Sequence, residues 1–278
     1  MPAILPLKGH DPASYGRMAL MPLAKAAIDT AFQPIVETVS GKIHGYESLM
    51  RGHDRLGFDT PLTLLDAFAI SGELMDLELF TTSRSFAKFT SLADFDKRTL
   101  FLNLDHRMLQ AGQRLLPLLL AYLQKNAIAP SSVCIELSER SDNASAPDFA
   151  DLMAQMRRMG FKLAIDDFGT GHTSIVSLLK LEPKRLKIDR QLVQPMLTAS
   201  REFSLVRSII DIGSSLDIET VAEGVETMTH AARLRELGCS ALQGYAFARP
   251  MRGSELVDFV AASPWRDQPR LPYLASAI

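Results

Sequence analysis

The sequence lacks the features that mark nucleic-acid-binding and membrane-spanning proteins. Its 278 residues include 30 Lys and Arg against 32 Asp and Glu, which gives a formal net charge of −2. Because binding to DNA or RNA draws on an excess of basic side chains, this balance argues against general nucleic-acid binding. The longest apolar stretch, Leu115–Leu123, is interrupted only by Pro117 and is far shorter than a membrane span.

Cysteine is also scarce, since Cys134 and Cys239 are the only two in the chain. Each lies in an apolar run with the composition of a strand. Two thiols placed in this way are typical of buried core residues in a reducing compartment. The segment Met18–Ala24 is too short for a secretory signal and is not followed by a good cleavage site. We therefore expect a cytoplasmic protein.

The sequence does contain a regular alternation of short apolar runs and helical patterns. The runs are Ala31–Val36, Ile43–Leu49, Thr99–Leu104, Val133–Leu137, Lys162–Ile165, Arg185–Ile188, Ile218–Ala222 and Ala241–Tyr245. Strands that alternate with helices predict an α/β fold with a mainly parallel sheet, and eight strands favour a closed barrel. Only Thr38–Lys42 separates the first two runs, and its Gly41 suits a hairpin. We therefore expect the first strand to be antiparallel.

Glycines mark the expected ends of several helices. Apolar residues at helical spacing lead from Phe149 to Gly160 and from Phe203 to Gly213, and a further helix is expected over Glu226–Leu237.

The two ends of the chain are rich in proline. Residues 1–24 contain four prolines and no sustained periodicity, and three more prolines follow residue 263. This composition predicts an N-terminal tail or cap at 1–24, one domain at 25–262 and a C-terminal tail at 263–278.

Polar residues lie at or just past the carboxyl ends of six predicted strands, and Glu47 adds one from the second strand. They are Glu47, Asn103, Glu136, Asp166, Asp167, Lys187, Asp189, Glu223 and Gln243. Barrel enzymes carry their chemistry at the carboxyl ends of the strands, so we expect these side chains to converge. Clustered carboxylates cannot all stay ionised without compensation, and oxygen ligands without a His or Cys cluster favour Mg²⁺ or Mn²⁺.

Adjacent Asp166 and Asp167 would allow one carboxylate to bridge two ions, an arrangement used for in-line displacement at phosphorus. Lys187 would orient water or stabilise charge that develops on phosphate oxygens. A purely structural interpretation is open for each acid alone, because one that follows a strand is most often a helix cap or a solvated loop residue. Six strand ends with the same pattern weaken that interpretation for the whole set.

The sequence resembles the EAL family of cyclic di-GMP phosphodiesterases from about Phe32 to Pro250. The resemblance is carried by short motifs in the family's order. These are Phe32-Gln33-Pro34-Ile35-Val36, Glu47-Ser48-Leu49-Met50-Arg51, Asn103-Leu104, Glu136-Leu137-Ser138-Glu139, Asp166-Asp167-Phe168-Gly169-Thr170-Gly171, Leu186-Lys187-Ile188-Asp189-Arg190, Ala222-Glu223-Gly224-Val225-Glu226, Gln243-Gly244-Tyr245 and Arg249-Pro250.

The resemblance implies a modified TIM barrel with an antiparallel first strand, and an enzyme that hydrolyses cyclic di-GMP to linear pGpG with two Mg²⁺ or Mn²⁺ ions. It also implies roles for individual residues. One metal ion would be held by Glu47, Asn103, Glu136 and Asp166, and the second by Asp166, Asp167 and Glu223. The catalytic set would be Lys187, Glu223 and Gln243. The substrate-binding positions would be Gln33, Leu49, Arg51, Asp189, Glu226 and Pro250.

The resemblance further implies that Glu139 holds the loop after Asp166 and Asp167, and that the chain forms a homodimer through barrel helices near this loop. Two positions depart from the family's pattern: Ser48 replaces alanine, and Gly52 stands where an aromatic residue often follows the arginine. Two other functions compete with the enzyme: a catalytically weak or inactive cyclic di-GMP receptor that signals to a protein partner, and an interaction module that binds neither nucleotide nor metal. The full set of acids favours catalysis.

Overall fold

The computed structural model of the chain describes residues 19–262, except 110–111, 139–146 and 171–174. Strands β1 to β8 close into a barrel in sequence order. The strands are β1 Asp29–Glu37, β2 Ile43–Arg51, β3 Thr99–Asn103, β4 Val133–Ser138, β5 Lys162–Phe168, β6 Arg185–Ile188, β7 Glu219–Ala222 and β8 Ala241–Leu242. The helices are α1 Met21–Ala27, α2 Pro61–Ser71, α3 Leu74–Phe89, α4 His106–Leu109, α5 Gly112–Lys125, α6 Pro147–Arg158, α7 Ile175–Leu181, α8 Arg190–Val193, α9 Ser200–Ser215, α10 Met228–Glu236 and α11 Gly253–Ala262.

The first strand runs against both of its neighbours. β1 pairs antiparallel with β2, where Gln33 lies opposite Glu47, and antiparallel with β8, where Val36 lies opposite Leu242. The other neighbouring strands pair in parallel. A connection as short as the one between β1 and β2 can join only antiparallel strands, because a parallel pair needs a long crossover. The expected barrel with an antiparallel first strand is confirmed.

The helix expected to stop before Gly213 is longer than predicted. α9 continues through Gly213 to Ser215. The glycine allows close packing instead of ending the helix, since a Cβ at this position would lie 2.7 Å from Cγ2 of Thr220 and 2.9 Å from the carbonyl oxygen of Ile218. The prediction was wrong here because a sequence does not distinguish a glycine that ends a helix from one that a neighbour approaches.

Two further boundaries near the end of the barrel differ from the predictions. α10 begins at Met228, because the Thr227 hydroxyl accepts a hydrogen bond from the backbone N–H of His230 and caps the helix. Glu226 therefore belongs to the preceding loop. β8 ends at Leu242. The carbonyl oxygen of the following residue, Gln243, accepts a hydrogen bond from the backbone N–H of Val225 in the loop after β7.

The described part of the chain includes a short helix in front of β1. The side chains of Leu20, which directly precedes α1, and of Ala24 within it are fully buried in the core, and the boundary expected at residue 25 falls inside this helix. Pro22 lies in the first turn, where a missing N–H costs no hydrogen bond. None of the described helices is both long and apolar enough to cross a membrane.

Two apolar regions stabilise the barrel. The larger lies between the strands and the surrounding helices, and the smaller fills the inside of the barrel. The inner residues are Ile35, Phe101, Cys134, Ala164, Val221 and Ala241. Next to them, at the amino end of β6, Arg185 is buried and bonded to His44 and Glu219. We call the carboxyl end of β2 to β8 the mouth of the barrel. Below this mouth, the inside of the barrel is filled by packed side chains.

Candidate active site at the mouth of the barrel

Strand geometry brings the predicted site residues together. Side chains two positions apart in a strand point to the same face, so the residues two positions along from the inner apolar ones also face the barrel axis. These residues are Gln33, Asn103, Glu136, Asp166, Glu223 and Gln243. Lys187 stands in the same relation to buried Arg185. The expected convergence on one mouth therefore follows from the period of the strands.

Lys187 lies at the centre of this polar layer and is fully buried. Its ammonium nitrogen contacts four carboxylates, at 2.6 Å for Glu223, 2.7 Å for Glu136, 3.0 Å for Asp166 and 3.4 Å for Glu47. Burial alone would lower the pKa of Lys187, but the surrounding carboxylates, of which Asp166 acts most strongly, raise that pKa well above its usual value. The lysine is therefore held as an ammonium ion.

Amide side chains hold Glu47 in place. Its two oxygens accept hydrogen bonds from Nδ2 of Asn103 at 2.8 Å and from Nε2 of Gln243 at 2.6 Å. Nε2 of Gln243 also lies 3.2 Å from Oε1 of Gln33. Burial would raise the pKa of Glu47, but Lys187 and these amides keep that pKa below its usual value. Glu47 is thus an ionised and oriented carboxylate.

A local irregularity in β5 brings two consecutive aspartates to the same site. Adjacent side chains of a regular strand point to opposite faces. Asp167, however, has a left-handed backbone with a φ of 56°, and the register of β5 against β6 shifts between Ile165 and Phe168. Such a bulge re-aims a side chain, so Asp166 and Asp167 both reach the mouth.

Three of the carboxyl groups are hard to ionise in this site. Burial, with the neighbouring charge of Glu47, raises the pKa of Glu136 well above its usual value. Burial also raises the pKa of Glu223, against the opposing effect of Lys187. For Asp167, burial and the charge of Asp166 raise the pKa to about 6. The layer therefore contains more carboxyl groups than the single Lys187 ammonium can keep ionised.

The carboxylates form two groups that could each hold a metal ion. One group consists of Glu47, Glu136 and Asp166, and the other of Asp166, Asp167 and Glu223. Within each group the ligand atoms lie within 4.8 Å of one another. Asp166 belongs to both groups, as a bridging ligand would.

Unsatisfied oxygen atoms indicate that the residues present fit divalent cations. Both carboxylate oxygens of Glu136 and Oδ1 of Asp166 are buried, and apart from the shared Lys187 ammonium they have no hydrogen-bond donor among the described residues. Buried carboxylates of this kind are normally paired or bind a metal. Because every donor is a hard oxygen, the set favours Mg²⁺ or Mn²⁺ over softer ions.

Two cavities open on either side of the acidic cluster, and Glu47, Leu49, Asp166 and Asp167 line both. The first cavity, of about 650 Å³, is mainly polar and is bounded by the loops after β6, β7 and β8. The second, of about 640 Å³, is mainly apolar and lies between β2, β3 and helices α2 and α3.

The remaining predicted substrate residues are distributed around these cavities. Arg51 lines the second cavity and donates a hydrogen bond to the carbonyl of Met50. Asp189 and Glu226 line the first, where Asp189 also caps α8 by accepting a hydrogen bond from the N–H of Gln191. Pro250 lies outside the lining of both cavities. Glu139, the predicted loop-stabilising residue, lies outside the described residues.

The two departures from the family's pattern both have structural partners. The hydroxyl of Ser48 lies 2.7 Å from that of Ser85 on α3, and both are buried. Gly52 has a φ of 97°, and a Cβ at this position would collide with the carbonyl oxygen of Ala27. An aromatic side chain at residue 52 is therefore incompatible with the way the end of α1 packs.

The sequence reasoning missed several cavity residues. One face of α3 presents Glu78, Thr81, Thr82 and Ser85 to the second cavity, and all four are buried. Their spacing of three, four and seven residues was the available signal, since it places polar residues on one helix face. Gln194 lines the first cavity without belonging to a motif, and no sequence signal distinguished it.

Comparisons with known proteins agree with the fold. The family model described as "EAL domain" matches residues 18–250. The chain is 32% identical over 246 residues to "Cyclic di-GMP phosphodiesterase RocR" of Pseudomonas aeruginosa, which covers 87% of this chain and 62% of that protein. The chain spans 33% to 62% of the length of the first three curated relatives that it matches.

Solved structures give the same result. A complex of the PaMucR phosphodiesterase with c-di-GMP superposes with a TM-score of 0.75 at 28% identity, covering 84% of this chain and 96% of that one. A manganese and c-di-GMP complex of BlrP1 from Klebsiella pneumoniae has a TM-score of 0.72 at 27% identity, covering 81% of this chain and 56% of that one.

Proposed function

The chain belongs to the EAL domain family, and we propose that it is a divalent-metal phosphodiesterase that hydrolyses cyclic di-GMP to linear pGpG. The observation that carries this proposal is the pair of carboxylate groups that share Asp166, with the Lys187 ammonium in contact with both. Bound cations would stabilise like charges at this density, and two cations beside one carboxylate suit the hydrolysis of a phosphodiester.

The two cavities support a substrate with two nucleoside units. Each has a volume within the range of about 300–1,000 Å³ that is typical of small-molecule sites. They meet at the acidic cluster, so a cyclic dinucleotide that places one base in each cavity would present a phosphodiester to the carboxylates. The chain resembles the cyclic di-GMP phosphodiesterase RocR and the PaMucR phosphodiesterase, whose structure was solved in complex with c-di-GMP.

We assign the metal ligands as the sequence predicts them. Glu47, Asn103, Glu136 and Asp166 would hold one Mg²⁺ or Mn²⁺ ion, and Asp166, Asp167 and Glu223 would hold the second. When bound, such ions stabilise negative charge on phosphate oxygens and lower the pKa of a bound water.

The protein's own residues would then divide the remaining work. Lys187, held as an ammonium ion, would position the attacking water and stabilise charge on the phosphate oxygens. Gln243 would fix the arrangement by its bond to Glu47. Arg51 binds a phosphate, and Leu49, Gln33, Asp189, Glu226 and Pro250 complete the substrate contacts. Water would attack phosphorus in line and give up one proton to a neighbouring carboxylate or to solvent. The bond from phosphorus to the ribose 3′ oxygen would break, and that oxygen would take up a proton to give linear pGpG.

We also propose that the protein acts in the cytoplasm as a homodimer, with Glu139 holding the loop after β5 and residues 25–262 as the catalytic domain. Light scattering of the purified protein at micromolar concentrations should show a dimer, and monomers throughout that range would contradict this assembly.

One assay tests the function. Purified protein is incubated with cyclic di-GMP and Mg²⁺ or Mn²⁺, and the nucleotides are separated by chromatography. We expect pGpG. Binding of cyclic di-GMP without product would identify a receptor instead of an enzyme, and the absence of both would identify a module that acts without the nucleotide.

A further inference from the structure

The loops after β6 and β7 are joined by a hydrogen bond between two side chains of the first cavity. Nε2 of Gln194 donates to Oε1 of Glu226 at 2.8 Å, and both residues line this cavity. A carboxylate only accepts hydrogen bonds, so the amide must turn its nitrogen toward Glu226. The amide oxygen of Gln194 and the second oxygen of Glu226 then remain to accept hydrogen bonds from a ligand.

A buried histidine holds the backbone of Gln194. Nε2 of His230 lies 3.0 Å from the carbonyl oxygen of Gln194, and its Nδ1 lies 2.8 Å from the hydroxyl of Thr227. A carbonyl oxygen only accepts hydrogen bonds, so Nε2–H of His230 donates to Gln194, while Nδ1 shares a hydrogen bond with the Thr227 hydroxyl. Because Thr227 directly follows Glu226, His230 ties both loops to the start of α10.

We propose that Gln194 is a positioning and specificity-determining residue, which orients Glu226 so that the two side chains present paired acceptors to the edge of a guanine base. This inference rests on the proposed function, since it concerns the same substrate. Guanine carries adjacent donors at N1 and N2 on its pairing edge, and two neighbouring acceptors match them. Adenine offers an acceptor at N1 and a donor at N6, so the same pair would leave two acceptors facing each other.

Replacing Gln194 should affect binding and base selection and have little effect on the chemical step. Neither Gln194 nor Glu226 makes a described hydrogen bond or ion pair with the acidic cluster. Gln194→Ala should raise the KM for cyclic di-GMP by roughly 2- to 12-fold, the range expected for one hydrogen bond. Its kcat should stay within about twofold, and its preference for cyclic di-GMP over cyclic di-AMP should fall by a similar factor. Gln194→Glu should have a larger effect, since two carboxylates would repel each other.

A swap of the two partners provides the sharpest test. The double variant Gln194→Glu/Glu226→Gln places the amide at residue 226 and the carboxylate at residue 194, which restores the hydrogen bond and both free acceptors. It should recover most of the KM and of the base preference lost in Gln194→Glu. Gln155→Ala, on the exposed side of α6, is the matched control and should behave as wild type.

The experiment measures kcat and KM for cyclic di-GMP and the affinity for cyclic di-AMP in wild type and all variants, with thermal melting to verify folding. Equal KM and equal base preference in Gln194→Ala and Gln155→Ala would overturn the inference. It would also be overturned if the double variant had the same KM and base preference as Gln194→Glu. If the wild type binds cyclic di-GMP without hydrolysing it, the enzyme proposal fails while dissociation constants still test Gln194. A wild type that neither binds nor hydrolyses it overturns both.

Discussion

Nζ of Lys187 lies 2.6 Å from Oε1 of Glu223, the shortest of the four ion contacts that this lysine makes with described residues. Lys187 is the third residue of β6, and Glu223 directly follows β7. Their contact draws the start of the loop after β7 toward the barrel axis and beside Asp166. The lysine therefore couples both carboxylate groups to a single buried positive charge.

Replacing Lys187 should affect turnover much more than binding. We expect Lys187→Ala to reduce the rate of pGpG formation by roughly 10²–10⁴-fold, a range comparable to that of positioned groups in acid–base catalysis, because the ammonium would no longer orient the attacking water. Affinity for cyclic di-GMP, measured by calorimetry with Ca²⁺, should change far less because Arg51 and the metal ions still hold the phosphates.

Lys184→Ala is the control, since Lys184 is half-exposed and pairs with Asp217, whose side chain is almost fully exposed. Turnover of Lys187→Ala near the wild-type value would contradict the assigned role. Loss of binding together with loss of the fold would show that the lysine mainly holds the strand ends together.

Removing the metal ions should abolish hydrolysis. Treatment with EDTA should stop pGpG formation, and Mg²⁺ or Mn²⁺ should restore it, because the ligands are oxygen atoms. Asp166→Asn should weaken metal binding as well as hydrolysis, since it removes the charge shared by both groups. The metal-induced rise in melting temperature provides a second readout that does not depend on turnover. Asp217→Asn should retain that rise, and full hydrolysis after rigorous metal removal would exclude the two-metal site.

The buried carboxyl group of Glu78 should make stability depend on pH. Burial and the charge of Asp105 raise its pKa to about 8. Between pH 4.5 and about 8 the folded protein keeps a proton that the unfolded chain has released, so the free energy of unfolding falls as the pH rises. The contribution of Glu78 is at most roughly 1.4 kcal/mol for each pH unit.

Glu78→Gln keeps the shape of the side chain and cannot ionise, so it should flatten this decline in urea denaturation measured from pH 5 to pH 8. Glu236→Gln, an exposed residue that pairs with Arg233, should leave the decline unchanged. A Glu78→Gln profile parallel to that of wild type would mean that Glu78 ionises normally in the folded protein.

The hydroxyl of Ser48 should contribute to stability and not to catalysis. Ser48→Ala removes the bond to Ser85, and we expect the free energy of unfolding to fall by about 1 kcal/mol. The family's pattern has alanine at this position, so kcat and KM should each change by less than about threefold. A change of that size corresponds to the free energy of a weak hydrogen bond. The exposed hydroxyl of Ser208 provides the control through Ser208→Ala. A tenfold loss of kcat in Ser48→Ala would instead place this hydroxyl in the catalytic arrangement.

The strands and most of the site could be predicted because both depend on local sequence periods. A residue two positions from a buried one shares its face, so apolar runs that end in acids or amides indicate where Glu136, Asp166 and Gln243 meet. The short connection between the first two runs was sufficient to predict the antiparallel β1.

Other features depend on contacts between distant segments and could not be predicted in this way. Gly213 is required by its approach to Ile218 and Thr220, which only the folded chain brings together. The bulge that re-aims Asp167 depends on the register of β5 against β6. Gln194 acquires its role from a loop 32 residues further along the chain.

The packing of Gly52 against Ala27 has a consequence for how the sequence can diverge. The residue tolerated at position 52 depends on where α1 ends, so the effects of substitutions at the two places are not additive. An aromatic side chain could be introduced only together with a rearranged connection between α1 and β1. Gly52 and the end of α1 thus form an epistatic pair, in which a substitution at one place is tolerated only with a change at the other.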